Sequence, residues 1–310
     1  MFNGILIIDK TPGMTSHDVV NRIRRIFKTK RVGHTGTLDP EATGVLVLCL
    51  GNALRLAEYL SASQKLYIAE VMFGTETDTQ DIWGSVTAEY DASVLTEADL
   101  IGSLARFRGT IYQVPPMVSA RRFEGKHLYE LARKGVTVER EARPIEIYRL
   151  EMTRFSTGER PTAELEVSCS TGTYIRTLAF DIGRALGVGA AMSALRRTCV
   201  GSGDNAFTLE QAYTFDELTK IAEAGPERLA RALLPVTHAV LGWPRARIDD
   251  ALEARIRHGH AITLAEAGIE GQNREDGLVA LLDLQADLIA VAKLTESNTL
   301  QPVKVLGAGG

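Results

Sequence analysis

Short apolar segments with the length of strands alternate irregularly with amphipathic helical segments over the first 235 residues of the chain. In Thr162–Cys169, every second residue is apolar and the residues between are polar, which is typical of a half-buried strand. The other predicted strands are Gly4–Ile8, Val45–Cys49, Leu66–Phe73 and Ile145–Thr153. A parallel α/β sheet would need a regular alternation, so this order predicts an α/β fold with a mixed, largely antiparallel sheet.

Capping residues mark where the predicted helices begin. Thr15 and Ser16 precede a helix whose apolar residues form one stripe, and most of its basic residues lie off that stripe. Thr96–Asp99 is a capping box with leucines placed as a hydrophobic staple. Further helices are predicted at Lys126–Lys134, ended by Gly135, at Ile175–Leu186, ended by Gly187, and after the capping pattern Thr214–Glu217.

The length of 310 residues corresponds to about two domains. The composition changes near residues 234–244, and short strands are predicted beyond that point at Leu278–Leu284, Leu288–Leu294 and Pro302–Leu306. We therefore expect a large domain at residues 1–240 and a small β-rich domain at residues 241–310.

The apolar runs, the N-terminus and the cysteines indicate the compartment. The longest strongly apolar run, Val45–Leu50, has six residues, far short of the roughly 20 that span a bilayer. The N-terminus has no basic region before its apolar stretch, and the three cysteines lack metal-ligand spacing. We expect a protein of the reducing cytoplasm.

Charge is distributed unevenly, although the net charge is only −4. Residues 1–34 carry seven basic and two acidic side chains, a balance of +5, and residues 119–149 carry eight and five, a balance of +3. Residues 66–105 carry eight acids and no lysine or arginine. An acidic protein can still present a basic face to a nucleic acid, but ordinary solvated faces would give the same counts.

The densest motif is the glycine-rich segment Gly33–Gly44, which contains Asp39 followed by a proline. It lacks the lysine of a phosphate-binding P-loop. A metal site of His34, Asp39 and Glu41 would match no established ligand spacing. Two interpretations of Asp39 remain: a turn residue that bonds nearby amides, or a carboxylate held on a stiff loop to act on a substrate.

A second motif, Cys169–Ala179, reads as a strand, a glycine turn and the start of a helix, with Arg176 in the first helical turn. The helix dipole disfavours a cation there, which indicates a nearby anion, unless Arg176 is simply a surface residue. Asp81 is a candidate for that anion. Tyr67 lies on a predicted strand, where a core role is the ordinary one.

Nine stretches occur in an order that resembles the TruB-type tRNA pseudouridine synthases, which modify the T-loop uridine at tRNA position 55. They cover residues 4–200, and the ordered set is far more specific than any member. The stretches are Gly4–Ser16, Gly33–Gly44, Lys65–Tyr67, Thr77–Asp81, Pro115–Met117, Gly125–Glu130, Arg140–Ile145, Gly172–Leu178 and Leu195–Arg197.

The resemblance implies a role for each matched residue. Asp39 is similar to the catalytic aspartate, Tyr67 to the tyrosine that stacks on the flipped base, and Arg176 to the arginine that pairs with that aspartate. Asp81 resembles the acid that holds the arginine, Lys10 a supporting lysine, and Leu195 the apolar lining of the uracil pocket. His34 resembles the histidine that fills the space of the extruded base.

The resemblance also implies contacts with tRNA. Residues 115–150 resemble an insertion that folds over the T arm, and the tail at 241–310 resembles, by position, a PUA-like RNA-binding domain. The expected RNA-binding residues are His34, Arg121, Arg122, Lys126, Arg143, Arg196 and Arg197. Two residues depart from the family pattern: Val47, where proline is usual, and Val118, where tyrosine is frequent.

The implied reaction breaks a C–N glycosidic bond, turns the uracil and forms a C–C bond, so it requires no redox cofactor and no metal. Asp39 would act either as a nucleophile or as a base. Three alternatives remain: an RNA-binding or tRNA-chaperone module, an N-glycoside hydrolase that uses Asp39 and Asp81 as a carboxylate pair, and the guide-dependent relative of the family. The insertion and the short N-terminus favour the bacterial, stand-alone form, which we expect to be monomeric.

Overall fold

The computed structural model of the chain describes residues 2–119, 122–123, 126–127, 136, 138–269 and 277–307. For residues 122–123 and 126–127 it describes the backbone alone. The chain forms two compact units, the first composed of Met1–Pro40, Val45–Ser61 and Gly201–Gly310 and the second of Glu41–Gly44 and Ala62–Val200. None of the described helices is long and apolar enough to span a bilayer.

The described strands are numbered in chain order. They are β1 (Gly4–Lys10), β2 (Val32–His34), β3 (Thr43–Leu50), β4 (Lys65–Phe73), β5 (Thr75–Thr77), β6 (Val86–Glu89), β7 (Gly109–Gln113), β8 (Arg122–Phe123), β9 (Lys126–His127), β10 (Arg143–Ser156), β11 (Thr162–Cys169), β12 (Ala190–Val200), β13 (Phe207–Thr208), β14 (Arg245–Arg247), β15 (Ile262–Thr263), β16 (Leu278–Leu282), β17 (Leu288–Leu294) and β18 (Thr299–Val305).

The described α-helices follow the same convention. They are α1 (Ser16–Ile26), α2 (Ala57–Ser61), α3 (Glu97–Leu104), α4 (Ile175–Leu186), α5 (Phe215–Glu223), α6 (Pro226–Ala230) and α7 (Asp250–Arg257). Capping boxes begin α1, α3 and α5 at Thr15, Thr96 and Thr214, as predicted. Gly187 ends α4 in the left-handed conformation (φ 75°), as its glycine also predicted.

The second unit is built on an antiparallel sheet with the strand order β12-β4-β11-β10-β7. The parallel pairing of β12 with Thr43 and Gly44, at the beginning of β3, is the exception. Alternate residues of β4 and β11 are buried, because one face of the sheet forms the core. The apolar side of α4 packs against β12, with Leu178 and Ile182 buried. The predicted mixed, largely antiparallel α/β fold is confirmed.

The first unit places β1 beside β3, and β2 pairs with β3 in the antiparallel direction. The buried residues of α1 are Ser16, Val19, Val20 and Ile23, which lie on the predicted stripe. Of the basic residues on this helix, Arg22 and Arg24 are half-buried and Arg25 is exposed. The guanidinium of Arg22 lies 4.1 Å from the centre of the Phe215 ring.

The first unit also contains a separate five-stranded sheet with the order β14-β16-β17-β18-β15. It has its own apolar core, which includes Ile256, Leu281 and Leu300, all fully buried. This is the β-rich tail that the sequence predicts.

Most predicted strands differ from the observed ones by a few residues at an end, and two differences, one in a strand and one in a helix, have a local cause. The strand predicted to reach Leu284 ends at Leu282, because the Asp283 carboxylate accepts hydrogen bonds from the amides of Gln285 and Asp287 and starts a turn. The helix predicted from Lys126 does not begin there, because Lys126–His127 pairs with Arg122–Phe123 as a strand. The remainder of that prediction, residues 128–135, lies outside the described residues.

Candidate active site

A loop in the first unit carries Asp39 between two anchored residues. The Ser16 Oγ accepts a hydrogen bond from the Leu38 amide at 2.9 Å and donates one to the Leu38 carbonyl at 3.0 Å. On the other side, the Pro40 carbonyl accepts from Lys10 Nζ at 2.7 Å. Because both of its neighbours are anchored, the backbone at Asp39, which is half-buried, is held in place.

Lys10 is the last residue of β1, and its side chain is fully buried. A buried ammonium group is costly unless it is hydrogen-bonded. Its Nζ donates to the Thr11 carbonyl at 3.1 Å as well as to Pro40, whose carbonyl also accepts from the Gly13 amide at 3.1 Å. The ammonium of Lys10 thus fixes the residue after Asp39, and the supporting role that the resemblance gives to Lys10 stays a prediction.

The first residues of the glycine-rich segment run alongside β3, and the segment then turns into the loop that carries Asp39. Gly33 and His34 pair with Cys49 and Leu48. The Thr35 amide then donates to the Val47 carbonyl at 3.0 Å. His34 is half-buried.

In the second unit, Arg176 lies in the first turn of α4 and is almost completely buried. Its Nη1 lies 3.5 Å from Asp81 Oδ2 and donates to the Thr79 carbonyl at 3.0 Å, and its Nη2 donates to the Val118 carbonyl at 2.9 Å. Asp81 supplies the anion that a cation at a helix N-terminus requires. Val118, one of the two departures from the family pattern, contributes its carbonyl here, which every residue type possesses.

The segment Thr77–Asp81 is stiffened by its own hydrogen bonds. Asp81 Oδ1 accepts from Thr79 Oγ1 at 2.7 Å and from the Trp83 amide at 3.2 Å. Gln80 has a positive φ of 65° and accepts from Thr177 Oγ1 at 2.7 Å through its side-chain oxygen. The segment thus contacts both Arg176 and its neighbour on α4.

Tyr67 and Leu195 share one face of the β4–β12 ladder. Tyr67 pairs with Arg197, and Leu195 pairs with Ala69, so Tyr67 and Leu195 are diagonal neighbours. They are 7% and 8% exposed, which leaves only a small accessible edge on each side chain. The two residues predicted to contact the uracil therefore lie together within this unit.

Two basic residues of this ladder, Lys65 and Arg197, are also buried. Burial, followed by the positive charge of Arg197, lowers the pKa of Lys65 to about 8. The Lys65 Nζ donates to the Ser63 carbonyl at 2.6 Å. Arg197 is only 2% exposed, and the contact with RNA expected of it stays a prediction.

The remaining predicted RNA-binding residues differ in accessibility. Arg143 is exposed at the beginning of β10, and Arg196 is half-buried, with Nη1 3.4 Å from Thr43 Oγ1. Arg121 lies outside the described residues, and Arg122 and Lys126 are described by their backbone in β8 and β9. Among the described residues, no three His, Cys, Asp or Glu side chains are grouped to hold a metal ion.

Sequence reasoning missed the polar residues that surround Arg176. Thr79 and Gln80 lie within a stretch already noted, but only the proximity of Arg176 and Thr177, about a hundred residues later, gives them a role. Asp39 belongs to the first unit and Arg176 to the second, and their pairing stays a prediction.

Comparison with known proteins gives full-length matches. Residues 24–175 match the family model described as "TruB family pseudouridylate synthase (N terminal domain)", and residues 176–241 match "tRNA pseudouridylate synthase B C-terminal domain". The chain is 52% identical to tRNA pseudouridine synthase B of Symbiobacterium thermophilum over 84% of this chain and 83% of the relative. It is 40% identical to the protein of the same name from Bacillus pumilus over 99% and 98%.

Solved structures agree with this result. A chain from a Cbf5-Nop10-Gar1 complex superposes with a TM-score of 0.74 at 29% identity, covering 98% of this chain and 84% of that chain. A chain from an H/ACA RNP bound to a substrate RNA containing 2′-deoxyuridine gives a TM-score of 0.72 at 27% identity, over 98% and 85%.

Proposed function

Because the chain belongs to the TruB family of pseudouridylate synthases, it is an isomerase that forms pseudouridine in tRNA, and we propose that its target is the T-loop uridine at position 55. The similarity to relatives named tRNA pseudouridine synthase B, over almost the whole chain, supports the tRNA substrate. The T-loop position follows from the resemblance of the ordered motifs.

The observation that carries the assignment of the site is the buried Arg176–Asp81 pair. Burial of two charged groups is unfavourable unless their geometry and additional hydrogen bonds compensate. Here two carbonyls and an ion pair hold the guanidinium in one orientation. Such a fixed cation is suited to pair with a catalytic carboxylate, and we propose that this carboxylate is Asp39.

The chemistry proposed for Asp39 needs one carboxylate. The C1′–N1 bond breaks and the detached uracil turns. A C1′–C5 bond then forms, C5 loses its proton, and N1, freed from the ribose, gains one, so that the product is an isomer of the substrate. Asp39 acts either as the nucleophile at C1′ or as the base that removes a ribose proton. The anchors at Leu38 and Pro40 keep it in position for either role.

Tyr67 and Leu195 are proposed to hold the uracil while it is detached. Both side chains are nearly buried on one face of the sheet, so a base bound there is shielded from water. The uridine must first leave its stack, at a cost of roughly a few kcal/mol. His34 and the basic residues Arg143 and Arg196 are proposed to offset that cost through contacts with the RNA, which would weaken with added salt.

The position of Asp81 argues against the hydrolase alternative. Its carboxylate already accepts from Thr79 and Trp83 and faces Arg176, and the residue is 9% exposed. A carboxylate with these partners is poorly placed to activate a water molecule. We therefore assign Asp81 as the residue that holds Arg176.

We propose that residues 1–240 form the catalytic part, with residues 115–150 gripping the T arm, and that residues 241–310 form a PUA-like RNA-binding domain. The independent apolar core of the terminal sheet supports the second assignment. We also propose that the protein acts as a monomer in the cytoplasm, because a bound tRNA would cover much of its surface.

The test is pseudouridine formation on an unmodified tRNA transcript, mapped by carbodiimide-stop sequencing in the presence of EDTA. We expect one new stop at the T-loop uridine. Asp39→Asn should give no product while tRNA affinity stays within about twofold, since the amide keeps the shape but not the charge. Glu41→Gln, which neutralises a carboxylate two residues away, is the matched control and should retain activity.

Four kinds of outcome would contradict the proposal. Product from Asp39→Asn would remove Asp39 from the chemistry. A stop elsewhere, or one that persists when the T-loop uridine is replaced by cytidine, would refute the target. Release of free uracil would favour the hydrolase, and tight binding without product would favour an RNA-binding module.

A further inference from the structure

Gln113 is a polar residue with almost no exposed surface at the end of β7. It is 1% exposed, and its pairing partner on β10 is the exposed Arg143. A buried amide must be hydrogen-bonded, because an unsatisfied one is costly. The partners of its two polar atoms therefore indicate what the residue does.

Both polar atoms of the Gln113 side chain bind the backbone of a single residue, Tyr174. Its Oε1 accepts from the Tyr174 amide at 3.0 Å, and its Nε2 donates to the Tyr174 carbonyl at 3.2 Å. Tyr174 is the N-cap of α4, and its own side chain does not cap the helix. A distant side chain thus fixes the residue at which α4 begins.

The segment that leads into α4 is braced at a second point. The Ser170 amide donates to the Glu146 carbonyl at 2.8 Å, and Ser170 Oγ accepts from the Glu146 amide at 2.9 Å. Between the two braces Gly172 adopts a positive φ of 84°. The Ser170 brace fixes the start of the turn, while Gln113 fixes its end, two residues before Arg176.

We propose that Gln113 is a positioning residue for catalysis, which acts by setting the start of α4 and thereby the direction of the Arg176 guanidinium. This inference rests on the proposed function, because it requires Arg176 to act in pseudouridine formation. The contacts with Asp81 and Thr79 hold the guanidinium of Arg176, and Gln113 holds the backbone of Tyr174, two residues before Arg176. Displacement of a catalytic group by about 1 Å can reduce the rate about 100-fold.

The first test is Gln113→Met, which preserves the length of the side chain and removes both hydrogen bonds. We expect the single-turnover rate of pseudouridine formation at saturating enzyme to fall about 10- to 100-fold, with the tRNA dissociation constant within about twofold of wild type. The matched control is Gln64→Met, because Gln64 in the same unit donates to Ser168 Oγ at 2.6 Å and contacts none of the residues around Arg176. The control should retain the wild-type rate.

Gln113→Glu provides a second readout, which remains useful if the methionine variant does not fold. The glutamate can still accept from the Tyr174 amide, but when ionised it opposes the Tyr174 carbonyl. Burial favours its neutral form, which restores a donor to that carbonyl. We expect the ratio of its rate to the wild-type rate to rise as the pH is lowered.

A folded Gln113→Met variant with a rate within about twofold of wild type would overturn the inference, as would a parallel loss of rate in Gln64→Met. A flat pH ratio for Gln113→Glu would also overturn it. If wild-type protein forms no pseudouridine, the proposed function has failed instead, so the two failures are distinguishable.

Discussion

Removal of the Ser16 hydroxyl tests whether the loop that carries Asp39 depends on the beginning of α1. Ser16 is 2% exposed, and its hydroxyl makes two hydrogen bonds to Leu38: it donates to the Leu38 carbonyl and accepts from the Leu38 amide. Ser16→Ala leaves the Leu38 amide and carbonyl without this partner in a buried environment.

The size of the effect follows from the two backbone groups. An unsatisfied buried group costs about 1–3 kcal/mol, and partial relaxation of the loop favours the lower half of that range. We therefore expect Ser16→Ala to lower the free energy of unfolding by about 2–4 kcal/mol and the Tm by about 4–16 °C. The same relaxation displaces Asp39, so the single-turnover rate should fall about 10- to 100-fold.

The assay pairs thermal unfolding with single-turnover pseudouridine formation at a temperature where each variant is folded. Thr15→Ala is the control, because Thr15 caps the same helix through Asp18 but does not contact the loop. It should cost about 1 kcal/mol and leave the rate unchanged. If Ser16→Ala is no less stable than Thr15→Ala, or loses stability while keeping the wild-type rate, Ser16 does not position Asp39.

Two further predictions concern buried charges in the second unit. Asp81→Asn should lower the free energy of unfolding by about 3 kcal/mol, because Arg176 loses its counter-charge and retains the two carbonyls, and it should slow single-turnover product formation; equal stability and rate in urea titration and the tRNA assay would contradict this. Because burial lowers the pKa of Lys65 to about 8, the unfolded chain binds more protons than the folded one between about pH 8 and pH 10.4, and this group adds stability as the pH rises through that window. The free energy of unfolding of the wild type should therefore rise relative to that of Lys65→Met as the pH increases over that range. A difference that stays constant with pH, measured by denaturation at each pH, would refute this.

Local chemistry made the beginnings of three helices predictable. The capping boxes at Thr15, Thr96 and Thr214 involve residues three positions apart, and each marks the observed beginning of a helix. The alternating pattern of Thr162–Cys169 likewise predicts the bounds of β11, although Ser168 is buried. These features depend on neighbours within a few positions, so the sequence contains them explicitly.

The strand β12 was not predicted, although it lies at the centre of the candidate site. Its sequence has no alternation, and its last half contains two adjacent arginines. It is a strand because β4 pairs with it on one side and Thr43 and Gly44 on the other. Gly44 allows the close approach, since a Cβ there would overlap the Arg197 carbonyl.

The family and the identities of the candidate residues were determined by the sequence alone, because the ordered motifs are printed in it. The tertiary structure decided what those residues do to one another. Arg176 contacts Asp81, Thr79 and Val118, which lie 58 to 97 positions away from it in the sequence. Gln113 binds Tyr174 across a separation of 61 positions. Such contacts form only when the sheet closes long loops, and no local pattern specifies which distant groups then lie within hydrogen-bond or ion-pair distance of one another.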